Sequence, residues 1–224
     1  SQASPAAFER EYASAAQAGD SAVVLTISAQ LSGTHQSACI AAQDFENVVV
    51  VDSQSATIGA GILAQYAVDC AERGMSASEI AARLEEKRGD VCVIALLDTL
   101  EYLKRGGRIS KTAAIAGGLL NLKPVASIEN GRVNVIGKAR GSRQGNNLLM
   151  QKIRDCGGVD FDLPVLLGYT GLSDALLRKY MEDSRAVWEG HADALPQVQV
   201  GSVIGTHGGP GAVVAAFFRK GSRA

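Results

Sequence analysis

The chain of 224 residues carries 22 lysines and arginines against 23 aspartates and glutamates, so its formal net charge at pH 7 is −1, and only 5% of its residues are aromatic. A near-neutral chain with few aromatic residues lacks both the positive field and the base-stacking side chains of a nucleic-acid-binding protein, which excludes that class. No run of about 18 consecutive apolar residues occurs, and no charged segment precedes an apolar one, so neither a membrane span nor a signal peptide is predicted.

The four cysteines, Cys39, Cys70, Cys92 and Cys156, stand far apart in the sequence. They form no Cys-x-x-Cys pair of the kind found in redox motifs and zinc sites. This pattern favours reduced, mostly buried thiols in a cytoplasmic protein over a disulfide framework.

The first half of the chain alternates predicted helices with predicted strands. Ser4 and Pro5 begin an amphipathic helix that ends near Gly19, and Ser76 with Glu79 forms a capping box that begins another helix. The other elements are, in chain order, a strand over Ala22–Ile27, a helix to about Asp44, a strand over Asn47–Ser53, a helix over Thr57–Arg73 and a strand over Val91–Leu97. The alternation predicts an α/β lobe with a parallel sheet over residues 1–97, in which ligands bind at the carboxyl ends of the strands.

The pattern changes after Leu97. Asn130-Gly131, between two alternating apolar runs, predicts a β-hairpin. The other elements are a short helix from Asp98 to Gly106, a helix from Ser110 to about Leu120, a helix over Arg143–Cys156, a strand over Leu163–Gly168, a helix over Asp174–Trp188, a strand over Val198–Ile204 and a final apolar run over Ala212–Phe218. A hairpin among helices predicts an α+β lobe over residues 98–224 with an antiparallel or mixed sheet.

One candidate binding site lies where the first strand runs into the next helix. Ser32, Gly33 and Thr34 stand there, and their hydroxyls, the open backbone N–H groups and the positive end of the helix dipole would face one point. Gly33 lacks a Cβ, so a ligand can approach the backbone closely. The stretch therefore suits an anion, although Ser32 or Thr34 could equally do no more than cap the helix.

Two further polar residues stand out, Arg140 after the predicted hairpin and His207 in a glycine-rich turn. Ser32 and His207 would supply the nucleophile and the base of a hydrolase or acyltransferase, with Asp52 or Asp98 as orienting acid. The sequence lacks the Gly-x-Ser-x-Gly turn of such enzymes, however, and it also lacks a Walker loop, a Gly-x-Gly-x-x-Gly fingerprint and a cluster of metal ligands. No nucleotide, cofactor or metal is therefore predicted.

A basic cluster, Lys104, Arg105, Arg108 and Lys111, follows the short helix that begins at Asp98. Cations are favoured at a helix C-terminus, which explains the cluster as a structural feature. The same positive charges could instead dock an acidic partner.

Six motifs in a fixed order give the chain a resemblance to a known family. They are Leu-Ser-Gly-Thr with Gln-Ser-Ala (31–38), Val-Asp-Ser (51–53), Leu-Glu-Tyr-Leu-Lys-Arg-Gly-Gly-Arg-Ile-Ser (100–110), Leu-Leu-Asn-Leu-Lys-Pro (119–124), Asn-Gly-Arg (130–132) and His-Gly-Gly-Pro-Gly (207–211). In this order they resemble the DegV family of bacterial fatty-acid-binding proteins, which includes the acyl-binding subunit of fatty acid kinase. The resemblance extends from Ser1 to nearly the last residue.

The resemblance implies a two-domain protein with a long-chain fatty acid buried between the lobes and its tail in an apolar tunnel. It assigns the fatty acid carboxylate to Ser32, with Gly33 and Thr34 beside it, and to His207, and it puts Arg140 near the same carboxylate. On this resemblance the chain has no catalytic residue of its own.

The implied role is that of a cytoplasmic carrier that presents the fatty acid to a separate ATP-dependent fatty acid kinase subunit, which forms an acyl phosphate. Lys104, Arg105 and Arg108 are then the candidate docking surface for that partner. A carrier that takes up lipid is also expected to touch the membrane surface transiently. A regulatory or structural protein that binds another amphipathic ligand stays open as a third possibility.

The chain departs from the family pattern at three places. The family begins with a further strand and a threonine that helps to hold the carboxylate, and these would come before Ser1, so we expect an incomplete first lobe. His35 stands where an aromatic residue is common, and we expect it to face solvent or to add a donor near the head group. Gly208 stands where threonine is usual, which removes one hydroxyl.

Overall fold

The structure, a computed structural model, describes residues 2–109, 122–188 and 190–221. The chain divides into two compact units, each made of segments that are not contiguous in sequence. Unit 1 contains Ser1–Ala56, Ala60–Gly89 and Asn130–Arg132, and unit 2 contains Thr57–Gly59, Asp90–Glu129 and Val133–Ala224. Among the described helices, none combines the length and the apolar composition that a membrane span requires.

Unit 1 is built on a two-stranded parallel sheet. β1 (Ala22–Thr26) pairs with β2 (Val48–Asp52), with Ala22 opposite Val48 and Thr26 opposite Asp52. Both strands are nearly continuous runs of β-branched and other apolar residues, which is typical of a parallel strand covered on both faces. Their carboxyl ends therefore lie side by side at Thr26 and Asp52.

Four helices accompany this sheet, and the first two residues of α3 belong to unit 2. They are α1 (Pro5–Ala18), α2 (Thr34–Ala41), α3 (Ile58–Glu72) and α4 (Ala77–Lys87). Gly19 ends α1 in the left-handed conformation with φ 75°, as the sequence predicts. The predicted capping box of α4 is also present, because Ser76 Oγ accepts from the Glu79 N–H and the Glu79 carboxylate accepts from the Ser76 N–H.

Unit 2 contains a mixed six-stranded sheet of order β5-β4-β3-β8-β6-β7. Its strands are β3 (Val91–Leu96), β4 (Leu122–Glu129), β5 (Arg132–Arg140), β6 (Leu166–Tyr169), β7 (Gln197–Gln199) and β8 (Val213–Phe218). β3 is antiparallel to β4 and β8, whereas β6 is antiparallel to β8 and parallel to β7. Its helices are α5 (Glu101–Arg105), α6 (Gly141–Asp155), α7 (Ala175–Asp183) and α8 (Ser202–Gly208).

The core of unit 2 lies between this sheet and helices α6 and α7. Alternate residues of β3 and β8, such as Ile94 and Phe217, pack there with Leu149 and Ile153 of α6. Trp188 is fully buried in the same core and satisfies its indole N–H on Ser184 Oγ at 3.0 Å. A smaller cluster contains Leu97, Leu100, Leu103, Ile109, Ala126 and Ala212. α5 contributes Leu103 to this smaller cluster, which anchors a helix of only five residues.

The α/β architecture with a parallel sheet in the first half and a mixed sheet in the second is confirmed. The hairpin at Asn130-Gly131 joins β4 to β5, and both turn residues have positive φ, 50° and 74°. Asn-Gly suits these left-handed angles, which explains why this dipeptide is such a strong hairpin signal.

The third strand of the chain is not part of the first sheet. The sequence places the division of the chain after Leu97, whereas the structure divides it between Gly89 and Asp90 and assigns β3 to unit 2. An apolar run such as Val91–Leu96 suits a buried strand of either direction, so its antiparallel partners could not be read from it.

The predicted strand over Val198–Ile204 is wrong in its second half. β7 ends at Gln199, and after Gly201, which has φ −59° and ψ 156°, the chain enters α8. His207 therefore lies in a helix and not in the glycine-rich turn that the sequence predicts.

Asp98 does not cap α5, because the N-cap residue is Leu100 and the Asp98 carboxylate pairs with Lys123. The second predicted helix of this region, from Ser110 to about Leu120, lies outside the described residues, as does Lys111.

Candidate functional site

Ser32, Gly33 and Thr34 form the turn that leads into α2. Thr34 is the first residue of the helix and Gly33 is its N-cap. The Ser32 Oγ lies 2.8 Å from the Thr34 Oγ1 and accepts a hydrogen bond from the Thr34 backbone N–H at 3.3 Å. All three residues are half-buried, so the two hydroxyls form a sheltered polar pair at the helix start.

The start of α2 favours an anion. No acidic residue stands in its first turn, where backbone N–H groups lack helical partners and the helix dipole is positive. Gly33 has backbone angles that other residues also adopt, φ −71° and ψ 3°. A glycine is therefore useful at this position because it lacks a side chain, and not because of its backbone conformation. A Cβ there would overlap the side-chain amide of Gln2, which donates to Ser37 Oγ at 3.4 Å. A ligand could displace this flexible side chain and reach the backbone.

Two side chains hold the loop between β1 and this turn. Ser28 is fully buried, donates from Oγ to the Gly131 carbonyl at 2.8 Å and accepts from the Gln30 N–H at 3.1 Å. The Asp52 carboxylate accepts from the Ala29 N–H at 3.2 Å. Asp52 therefore binds backbone groups, which is a structural role and not that of an orienting acid.

His35 is engaged within unit 1. Its Nδ1 lies 3.0 Å from the Thr26 Oγ1, and its Nε2 lies 3.4 Å from the Cys39 Sγ. The side chain is half-buried, and both ring nitrogens have partners in the protein.

His207 lies near the end of α8, which packs against α5. The Nδ1 of its ring is buried against Gly106 and has no hydrogen-bond partner among the described residues. Burial and the nearby Arg108 guanidinium lower the pKa of the His207 imidazole, so the neutral ring is favoured. Since Nδ1 is covered, Nε2 is the nitrogen that can reach a ligand.

The glycine-rich segment after α8 is organised by Thr170, a buried residue that follows β6. Thr170 Oγ1 donates to the Gly209 carbonyl at 2.5 Å and accepts from the Ala212 N–H at 2.8 Å. Gly209 has φ 74°, and a Cβ there would overlap the Tyr102 ring. These contacts fix the end of α8 and with it the position of His207.

Arg140 is the last residue of β5 and the N-cap of α6. Its backbone N–H donates to Gln144 Oε1 at 3.2 Å, while its side chain is exposed. The backbone of Arg140 is therefore held in place, while its guanidinium is accessible to a ligand.

The basic cluster is compatible with the explanation that cations are favoured at the C-terminus of a helix. Lys104 and Arg105 lie in the last turn of α5, where Arg105 pairs with Glu101 at 3.0 Å. Arg108 donates to the Gly106 carbonyl at 2.7 Å. The side chains of Lys104, Arg105 and Arg108 are exposed, so a partner could still reach them.

Ser32 and His207, the two residues of the hydrolase alternative, belong to different units, and within unit 1 the Ser32 Oγ is hydrogen-bonded to Thr34. Within the described ranges, no group of three or more histidine, cysteine or acidic residues could hold a metal ion.

Sequence reasoning missed Gly106 and Thr170, which position the His207 ring and the segment after it. Gly106 reads as a helix stop, and Thr170 reads as an ordinary polar residue after a strand. Both roles depend on contacts with residues far along the chain, which no local pattern indicates.

Comparison with known proteins gives the family of the chain. The family model described as "Uncharacterised protein, DegV family" matches residues 1–220. A DegV domain-containing protein from Deinococcus radiodurans is 35% identical over 223 residues, which cover 97% of this chain and 76% of that protein.

Two solved structures are similar to this fold. One, described for fatty acid binding of a DegV family protein from Thermus thermophilus, has a TM-score of 0.83 and 35% identity, and the match covers 97% of this chain and 78% of that one. The other, a DegV lipid-binding protein from Thermotoga maritima, has a TM-score of 0.82 and 28% identity, with 98% of this chain and 78% of that one covered. With a family model that matches almost its whole length, the chain belongs to the DegV family.

Proposed function

We propose that the chain binds a long-chain fatty acid and holds its carboxylate through Ser32, Gly33, Thr34, His207 and Arg140. The observation that carries this assignment is the start of α2, where two sheltered hydroxyls 2.8 Å apart stand in a helical turn without an acidic residue. The relatives from Thermus thermophilus and Thermotoga maritima, described as binding fatty acid and lipid, support the class of ligand.

The acyl tail supplies most of the binding free energy. Burial of some 14 to 16 methylenes at about 0.8 kcal/mol each is worth on the order of 12 kcal/mol before the costs of association, which is enough to take a fatty acid from a membrane surface. Burial of a carboxylate without hydrogen-bond donors would cost several kcal/mol. The carboxylate therefore has to lie where the donors are, which fixes the orientation of the lipid.

The proposed donors differ in chemistry. Ser32 and Thr34 offer neutral hydroxyls, and the helix start adds backbone N–H groups. The neutral His207 ring offers an Nε2–H, and Arg140 offers a permanently charged guanidinium that can bind a carboxylate in a bidentate manner. A carboxylate beside His207 would also favour the protonated ring.

The chain acts in this proposal as a carrier, with the chemistry done by a separate ATP-dependent kinase subunit that forms the acyl phosphate. In this role Ser32, whose Oγ is hydrogen-bonded to Thr34, serves as a donor to the carboxylate and not as a nucleophile. Lys104, Arg105 and Arg108 form the proposed docking surface, because three exposed cations on one short segment suit an acidic partner.

The test of the ligand is mass spectrometry of what the protein carries. The protein is purified without detergent, its intact mass is measured, and the denatured sample is extracted with organic solvent. A stoichiometric free fatty acid with an unmodified protein mass is expected. An acyl adduct on Ser32 would instead point to an acyltransferase.

Ser32→Ala and His207→Ala are both expected to lose retained fatty acid, because each removes a carboxylate donor. The exposed residues Ser21 and His191 provide matched controls, Ser21→Ala and His191→Ala, which should retain the lipid. Unaltered retention in both site variants would overturn the assignment of the head-group donors.

The kinase role is tested separately with the fatty acid kinase of the same organism, ATP and the loaded protein, with acyl phosphate trapped by hydroxylamine. Reversal of charge at Lys104 and Arg105, with Arg108 beside His207 left in place, should abolish acyl phosphate formation while bound lipid stays. Full acyl phosphate formation by that variant would contradict the docking surface.

A further inference from the structure

The exposed thiol of the chain is hydrogen-bonded to a histidine of the same helix. Cys39 and His35 lie one turn apart in α2, and the Cys39 Sγ lies 3.4 Å from the His35 Nε2. Of the four cysteines, Cys70 is buried, Cys92 and Cys156 are half-buried and Cys39 is exposed. The prediction that most of the thiols are buried is therefore wrong, and one thiol meets an imidazole where solvent can reach it.

The contacts of the His35 ring fix which of its nitrogens carries the proton. Thr26, a buried residue at the end of β1, donates from Oγ1 to the Val51 carbonyl at 3.4 Å. Because its one hydroxyl proton is used in that bond, the Thr26 Oγ1 is the acceptor for the His35 Nδ1–H at 3.0 Å. The neutral ring then presents a lone pair on Nε2, and the Cys39 thiol is the donor to it.

This order of hydrogen bonds is that of an activated nucleophile. A thiol faces the free nitrogen of a base, and a third group, the Thr26 hydroxyl, orients the base from its other side. Thr26 is itself held by the parallel sheet, where it lies opposite Asp52 and next to Val51 of β2. The sheet therefore determines which nitrogen His35 turns towards the sulfur.

Cys39 needs such a base in order to react near neutral pH. Although the residue is exposed, partial burial of its sulfur and the Asp52 carboxylate raise the pKa of the Cys39 thiol. Since the thiolate is the nucleophilic form, a thiol that keeps its proton reacts slowly unless the proton leaves during the attack. His35 Nε2 is in hydrogen-bond contact with that proton and can accept it.

We propose that Cys39 is a modification site for low-molecular-weight disulfides, with His35 as its general base and Thr26 as the positioning residue of that base. The Cys39 sulfur attacks one sulfur of the disulfide while His35 Nε2 takes the thiol proton. The S–S bond of the small disulfide breaks, and the departing thiolate takes the proton from the His35 imidazolium. Cys39 is oxidised to a mixed disulfide, and the small disulfide is reduced to one free thiol and the half that stays on Cys39.

The test uses the whole reduced chain, with bis(hydroxyethyl) disulfide as the probe. Cleavage after glutamate places Cys39 in fragment 12–46 and Cys70 in fragment 47–72, so mass spectrometry separates the two cysteines of unit 1. A single hydroxyethylthio group on fragment 12–46, removed by dithiothreitol, is expected to form first. Modification of any other cysteine before Cys39 would overturn the proposal.

Replacement of His35 tests the base. His35→Gln should slow modification of Cys39 at least about tenfold, because glutamine cannot take the thiol proton. The matched control His191→Gln, at an exposed histidine of unit 2, should leave the rate unchanged. The fragment with the buried Cys70 stays unmodified as long as a variant is folded, so the same spectra report on the fold. An unchanged rate in His35→Gln would show that the thiol reacts without this base.

Two replacements of Thr26 test the positioning of the base. Thr26→Val keeps the shape of the side chain but removes the acceptor for the His35 Nδ1–H, so modification of Cys39 should slow. Thr26→Ser retains the hydroxyl and should react at the rate of the unaltered protein. Because both variants shorten or change the same buried side chain, a difference between them reflects the hydroxyl. Equal rates for valine and serine would contradict the role of Thr26.

Discussion

The imidazole of His207 lies directly against the backbone of Gly106, with no room for a side chain between them. Because Nδ1 is buried there without a hydrogen-bond partner among the described residues, shape and not a polar contact sets the orientation of the ring. The packing of α5 on α8 thus decides where Nε2 points. The proposed carboxylate donor depends on a glycine that makes no polar contact with it.

Gly106→Ala is expected to weaken fatty acid binding about tenfold, which corresponds to about 1.4 kcal/mol. The glycine has φ −72°, so alanine fits the backbone and the conflict is with the His207 ring. The matched control is Gly205→Ala in α8, where a Cβ would meet only the Val200 carbonyl at 4.0 Å. Displacement of a fluorescent fatty acid measures both affinities. Equal weakening by the two variants would contradict a specific role of the Gly106 contact.

The pKa of His207 in the free protein is expected below its usual value of about 6.5, because burial and Arg108 both disfavour the imidazolium. A carboxylate bound at Nε2 favours the charged ring, so saturation with fatty acid should raise this pKa. By linkage, binding then takes up protons and tightens as the pH falls from neutrality towards the pKa of the free state. Titration of the three histidines by NMR, with and without fatty acid, measures the shift. A His207 pKa that does not respond to ligand would contradict contact with the carboxylate.

Local chemistry explains what the sequence could predict and what it could not. The capping box at Ser76 and the hairpin at Asn130-Gly131 are fixed by side chains within a few residues of each other, so their patterns are sufficient. Val203 and Ile204, after Gly201, are β-branched residues that suit a strand in the local pattern, yet they lie in α8, which packs against α5.

In the candidate site, too, some features follow from the local sequence and others depend on packing. Ser32 and Thr34 are two residues apart in the sequence, and the placement of their hydroxyls at a helix start follows from the local pattern. The covering of His207 by Gly106, and the contact of His35 with Thr26, depend on how strands and helices pack. Such contacts between distant residues leave no periodic signal in one sequence.

Ser28→Ala is expected to lower the free energy of unfolding by about 1–3 kcal/mol, because it leaves the buried Gly131 carbonyl without its partner. The hydroxyl donates to the Gly131 carbonyl and accepts from the Gln30 N–H in a fully buried position. Urea denaturation measures the loss, and Ser21→Ala, at an exposed serine, is the control. A loss no larger than that of the control would mean that water replaces both bonds.

Gly208→Thr is expected to fold and to tighten fatty acid binding, because it adds a hydroxyl next to the proposed carboxylate donor His207. Gly208 is the last residue of α8, and a Cβ there would meet only the Thr170 Cγ2 at 3.9 Å, an ordinary contact distance. A further hydrogen bond worth about 0.5–1.5 kcal/mol would raise the affinity about 2- to 10-fold.

Gly208→Val separates the added hydroxyl from the added volume, since valine has the shape of threonine without the donor. Competition with a fluorescent fatty acid should rank the threonine variant above the unaltered protein and the valine variant at or below it. Because both substitutions place a β-branched residue in the same helical turn, any loss of helix stability is common to them and cancels in the comparison. Equal affinities of the two variants would show that a hydroxyl at position 208 does not reach the carboxylate, and the donors on this side would then be His207 and Arg140 alone.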